Sequence, residues 1–286
     1  MNVGNSKFKI LILGAILGLV SSCSLRQIAL DYHEFFATRM AIRFFDLNSE
    51  QKNIFTQRWT TFSKKIAKSK VDNVAQQIRS LGTAENPLLV VETLQSTAVE
   101  IMVESCSHFS PVLASLSREQ INHFRVKLEE RNDNFDPEKQ GGLAKFRKVR
   151  HEKLVDGFET WLGRISSRQK NLIEKLDDEK EKISPGSWDF RYLSYSREAQ
   201  NAFVSIIADN VGDAIKIEQE CISFVRGPER FLSPPSNKFK LDLSKFRELS
   251  IRQFAASIEQ DQRQFLIEET RKLAGDLLDW KKNIKD

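Results

Sequence analysis

Glycine and proline are scarce, at 12 and 7 of 286 residues, and three of the glycines (Gly4, Gly14 and Gly18) fall near the N-terminus. So little punctuation excludes collagenous or linker-like sequence and favours long helices. Apolar and polar residues nowhere alternate with period two over a strand's length, so no sheet is expected. No apolar run reaches the roughly 20 residues that a membrane-spanning helix requires. Cysteine is limited to Cys23, Cys106 and Cys221, and histidine to His33, His108, His123 and His151, all well separated except for the fragment Cys106-Ser107-His108. Structural zinc sites want four ligands, usually in closely spaced pairs, so no metal site is expected. GxSxG, HExxH, P-loop and dinucleotide fingerprints are also missing, which leaves no cofactor and no catalytic residue to name.

Charge of one sign is lacking as well. Forty-four basic residues face 39 acidic ones, for a net charge of +5. Lys7 and Lys9 supply two of those charges, and no acid precedes Cys23, so residues 23–286 carry only +3. Both signs are interspersed along the chain, which argues against nucleic acid as a partner.

What is present begins at the N-terminus. Lys7 and Lys9 precede an apolar run from Ile10 to Val20 that is too short to cross a bilayer but suits the core of an export signal. Val20-Ser21-Ser22-Cys23 then resembles a lipobox, where an aliphatic residue and two small residues lead a protease to a thiol that accepts diacylglycerol. Residues 1–22 read as a signal peptide and Cys23 as the lipidated first residue of the mature chain. A processed lipoprotein cysteine usually carries three acyl chains, more than the single chain that gives only marginal anchoring. Ser24 is not the aspartate that favours retention at the inner membrane, so the expected location is the periplasmic face of the outer membrane. That compartment permits disulfides, and Cys106 and Cys221 are the available pair; the other reading is two buried free thiols.

After Ser24 the apolar residues recur at helical spacing. Ile28, Tyr32, Phe35, Ile42 and Phe45 form one stripe, and with no Gly/Ser tether behind Cys23 the folded body should lie close to the lipid headgroups. Phe55 to Leu81, Leu94 to Met102, Ile121 to Leu128, Leu143 to Ile165, Phe203 to Ile215 and Leu266 to Ile284 continue the pattern. The expectation is an all-α fold, an elongated or multi-helix bundle of long antiparallel helices, with residues 23–286 forming a single domain. An irregular connection is expected near 226–240, and a weaker boundary at Ser184–Ser187.

One local pattern recurs. Leu47-Asn48-Ser49-Glu50-Gln51, Leu116-Ser117-Arg118-Glu119-Gln120 and Ile165-Ser166-Ser167-Arg168-Gln169 share an apolar residue, a cap residue, two variable positions and glutamine. Each reads as a helix start with a capping box, in which glutamine reaches back to the cap amide. Ile258 to Gln262 keeps the apolar and glutamine positions but has Glu259 at the cap. The intervals between copies are unequal, so a solenoid of fixed repeat length is not expected.

Taken in order, Cys23-Ser24-Leu25, Phe44-Phe45-Asp46-Leu47 leading into Glu50-Gln51, Leu116-Ser117 leading into Glu119-Gln120, Glu130-Arg131-Asn132 leading into Phe135, and Trp161 to Ser166 leading into Gln169 carry a resemblance. The chain resembles a family of helical bacterial lipoproteins that share a domain of unknown function. The family's helix starts commonly read Thr-Pro-Glu-Gln; the proline is missing here, which removes some first-turn preorganisation but leaves the cap chemistry. The resemblance implies a helical periplasmic body and carries over no catalytic residue.

Remaining fragments are weak. Ser167-Arg168-Gln169-Lys170 has Ser-x-x-Lys spacing without its partner motifs, and Ser167 reads as a first-turn residue after the Ser166 cap. Glu104-Ser105 matches the Glu-Ser dipeptide of lytic transglycosylases without their Gly-rich context. The basic runs Lys145–Lys153 and Lys64–Lys70 read as solvated helix faces, with headgroup or lipopolysaccharide phosphates as the other possibility. Twenty phenylalanines would line either the core or an acyl-binding groove. The function expected is that of a non-enzymatic envelope protein, anchored through Cys23 and meeting an envelope protein partner. A periplasmic folding or carrier factor is the alternative, and a cell-wall or lipid-modifying enzyme the second.

Overall fold

The computed structural model describes residues 28–183 and 188–284. The leader, Cys23 and the boundary expected at Ser184–Ser187 lie outside the described residues. Within them the chain is all helix: α1 His33–Phe45, α2 Ser49–Ser69, α3 Val71–Ser80, α4 Pro87–Ala114, α5 Arg118–Asn132, α6 Leu143–Leu162, α7 Ser167–Ile183, α8 Trp188–Ala208, α9 Ala214–Arg226, α10 Pro234–Ala256 and α11 Gln260–Asn283. Two short 3-10 turns, Asp133–Phe135 and Pro228–Phe231, complete the described elements. The fold is an all-α multi-helix bundle, as the periodicity predicts.

Several boundaries differ from the periodic reading. The stretch from Phe55 to Leu81 is two helices, bent at Lys70 (φ −125°, ψ −28°), with no glycine or proline at the bend. Packing sets it: the turn brings Val71, Ala75 and Ile78 inward, and Ala75 and Ile78 join the core against α11. Phe203 to Ile215 is also not continuous. The chain turns between α8 and α9 with Gly212 at φ +84°, a left-handed conformation that favours glycine, and its N–H donates to the Ala114 carbonyl at the end of α4 (2.9 Å). Val211 and Ile215 are exposed in consequence.

The irregular connection expected at 226–240 is shorter than that. After Gly227 and the 3-10 turn, α10 starts at Pro234. Proline fits a helical first turn because its missing N–H would lack a partner there anyway. The Ser233 hydroxyl is not spent on its own helix but donates to Glu198 on α8 (2.9 Å), tying the start of α10 to the bundle.

The helix α4 packs on α2, α3, α9 and α10, while α11 packs along α3 and reaches α6. The largest core cluster joins Leu113, Leu116, Ile121 and Phe124 to Val204, Ile207 and Ile217. Gly82 lets α11 approach: a Cβ there would lie 2.6 Å from Ile267 Cγ1 and 2.9 Å from Ile267 Cα.

Candidate functional site

The four apolar-cap-x-x-Gln segments sit at four helix corners, and the structure brings them together in two pairs. At each corner the glutamine Oε1 accepts the N–H of its own cap residue: Asn48 to Gln51 at 3.1 Å, Ser117 to Gln120 at 2.9 Å, Ser166 to Gln169 at 2.9 Å and Glu259 to Gln262 at 3.0 Å. That fixes the amide's orientation and aims Nε2 at the facing corner. Gln51 Nε2 donates to the Ser115 carbonyl (2.8 Å), and Gln120 Nε2 to the Asp46 carbonyl (2.7 Å). In the second pair Gln169 donates to Ser257 (3.0 Å) and Gln262 to Arg164 (2.9 Å). All four acceptors stand two residues before a cap. The glutamines also bond each other within each pair, Gln51 with Gln120 and Gln169 with Gln262.

The two pairs are therefore the same device used twice, 69 residues apart within the first and 93 within the second. Ser115 and Ser257 even repeat the same local bond, each hydroxyl donating to the carbonyl three residues earlier. Gly163, at φ +70°, opens the third corner and lies against the Phe265 ring of the fourth helix pair member, α11. Capping boxes were legible in the sequence; their pairing was not, although four recurrences of one pattern were the available signal.

Cys106 on α4 and Cys221 on α9 form a disulfide, with Cα atoms 5.8 Å apart across 115 residues. Both are buried among Met102 and Val225.

The densest basic run is divided by its helix. Arg147 and Arg150 turn toward α8 and bond Asp189, which is 3% exposed in that helix's first turn; the Arg147 Nε bond is 3.1 Å. Arg150 also reaches Asp177 on α7 (3.4 Å), which pairs with buried Lys180. Burial, and next the charge of Arg150, lowers the Lys180 ammonium below its usual range. These five groups, three basic and two acidic, join α6, α7 and α8. In the second run, Lys65 and Lys70 pair with Glu104 and Glu100 on α4.

The remaining fragments separate. Glu104 is that ion-pair partner, and the Ser105 hydroxyl bonds the Met102 carbonyl (2.7 Å). Ser167 opens α7, and Lys170 lies 3.8 Å from Glu159. His33 accepts at Nδ1 from the Trp59 indole (2.9 Å) and packs edge-on to Trp280, whereas His123 bonds the Arg43 carbonyl. Burial lowers His33 against the opposing charge of Glu34, and lowers His108 with help from Lys65. Among the described residues no three His, Cys, Asp or Glu side chains gather as metal ligands.

Two open grooves flank the end of α10. One, of about 610 Å³, is lined by residues including Arg168, Asn171, Lys175 and Gln253; the other, of about 590 Å³, includes Glu85, Arg252 and Arg263. Apolar residues share both linings, Leu172 in the first and Leu88 and Ile251 in the second. Most phenylalanines of the predicted stripes pack inward, as in the Phe55–Phe109 and Phe158–Phe254 stacks.

The first stripe is the exception. Ile42 and Phe45 pack on the core, but Ile28, Tyr32 and Phe35 are exposed, so the five residues do not share one buried face. The inward side of α1 is made by small residues, Thr38 and Ala41, which apolar periodicity alone under-weights.

Among the described residues no helix is long and apolar enough to cross a membrane. Comparison with family models, with curated proteins and with solved structures returned no match.

Proposed function

We propose that this chain is a lipoprotein held at the periplasmic face of the outer membrane by acyl chains on Cys23, and that it presents a rigid helical body to an envelope protein without catalysing a reaction. The observation that carries this reading is Val20-Ser21-Ser22-Cys23 at the end of a short apolar export run. Support comes from the Cys106–Cys221 bridge, which suits an oxidising compartment, and from the resemblance to helical lipoproteins. Confinement to one leaflet raises the effective concentration for any partner held there, so tethering is the mechanism.

The test is intact mass of the protein purified from membranes, together with fractionation. The wild type carries acyl mass on Cys23 and fractionates with the outer membrane. Cys23→Ala keeps its helical content and loses both. An unacylated wild-type N-terminus, or a retained leader, would overturn the reading.

A further inference from the structure

The geometry points to a second membrane contact: the outer face of α1 and the turn before it lies in the headgroup region of the leaflet that holds the anchor. This inference rests on the lipoprotein reading and adds a specific surface to it.

Ile28, Tyr32, Phe35, Phe36 and Met40 are 46%, 60%, 57%, 44% and 56% exposed, the densest run of large exposed apolar side chains in the described chain. The bonds Tyr32 N–H to Ile28 O and Phe36 N–H to Tyr32 O, both 3.0 Å, tie the turn before α1 to the helix, with Tyr32 (φ −105°, ψ 22°) as its cap residue. Within α1, at 100° per residue, Phe35, Phe36 and Met40 fall in one arc of about 140°. Arg39 and Arg43, also exposed, fall in the same arc. Aromatic and aliphatic side chains mixed with arginine are what an interfacial helix presents to acyl chains and anionic headgroups.

The face cannot turn inward. Its opposite side is fastened to the bundle by the Trp59–His33 bond, by Thr60 Oγ1 donating to Glu34 (2.9 Å), and by Phe44 and Phe45 against Phe124.

Chain length settles the occupant. Ile28 is five residues from Cys23, and five extended residues reach at most roughly 17 Å. With the acyl chains of Cys23 in the leaflet, the first turn of this face is held within that distance of the lipid. A free apolar surface so tethered meets lipid before any diffusing partner.

The experiment uses acylated protein, verified by mass, reconstituted into vesicles of phosphatidylethanolamine and phosphatidylglycerol with brominated acyl chains. Tyr32→Trp places an indole on the face; Leu89→Trp places one at an exposed site in the first turn of α4. Relative to unbrominated vesicles, the emission added by Tyr32→Trp falls by about twofold or more, as expected for burial at the acyl boundary. The emission added by Leu89→Trp does not change, and Phe35→Ser with Phe36→Ser weakens the quenching at position 32.

No quenching at position 32 in acylated, vesicle-bound protein overturns the inference. So does shielding of that indole that depends on protein concentration in the absence of vesicles, which would show a second copy on the face. If Cys23 proves unacylated, the anchor reading fails separately. Quenching on simple addition of the vesicles would then still support the lipid contact, and its absence would overturn it.

Discussion

The amides of Gln51 and Gln120 bond each other in both directions, Nε2 of Gln51 to Oε1 of Gln120 at 3.1 Å and the reverse at 2.7 Å. Each also closes its own cap and reaches the backbone of the facing corner, so one side-chain type satisfies groups on both sides of a helix-corner contact. Gln169 and Gln262 repeat this at 0% and 3% exposure, where unpaired polar groups are most costly. Gln169→Met keeps the shape and leaves the Ser257 carbonyl and the Gln262 amide without their partner. The expected loss is about 2–4 kcal/mol by urea unfolding, with Gln120→Met, at the less buried pair, losing less. In a double-mutant cycle Gln169 and Gln262 should couple by about 1–3 kcal/mol, and additivity would sink the clasp.

The bridge between Cys106 and Cys221 closes 115 residues and joins α4 to α9. Loop-closure entropy gives about 4–5 kcal/mol before any native-state cost. Reductant should therefore lower the urea midpoint of the wild type by an amount worth about 2–5 kcal/mol. The variant Cys106→Ala/Cys221→Ala should start near that lower midpoint and ignore reductant. A wild type whose midpoint is indifferent to reductant would show that the thiols are free in solution.

Asp189 is buried while its partners Arg147 and Arg150 are 41% and 29% exposed. Asp189→Asn removes the buried carboxylate that Arg147 and Arg150 share, while Arg150 and Lys180 keep Asp177. Removing one partner from a fully buried pair costs about 3–5 kcal/mol; with both arginines partly in water the expected loss is about 2–3 kcal/mol. Thermal unfolding of the variant measures it, and a midpoint equal to the wild type's would mean the network is only superficial.

His33 and His108 are both lowered, chiefly by burial. Between each folded-state value and the unfolded value near 6.5, the unfolded chain holds more protons, so stability falls as pH drops through that window. Protonation of His33 also removes the acceptor for the Trp59 indole. From about pH 7 to about pH 5 the unfolding midpoint should decline, and His33→Phe should flatten part of the slope. An unchanged slope in that variant would place the linkage elsewhere.

The corners show how far local chemistry extends. Asn48, Ser117 and Ser166 announce helix starts because a cap and its N3 glutamine act within four residues, a range over which sequence is structure. Glu259 was legible as the fourth copy by its apolar and glutamine positions alone, and it does form the box. Which corner faces which depends on helices 69 and 93 residues apart in sequence, and nothing local encodes that.

Sequence by itself determined the helical class and the corner caps, because periodicity and capping act over a few residues. Tertiary structure alone decided the pairing of glutamines, the meeting of Cys106 with Cys221, the inward turn of Arg147 and Arg150, and the outward face of α1. Those outcomes depend on which surfaces the other helices cover: on α1, Phe45 packs against Phe124 of α5 while Phe35, alike in chemistry, is exposed.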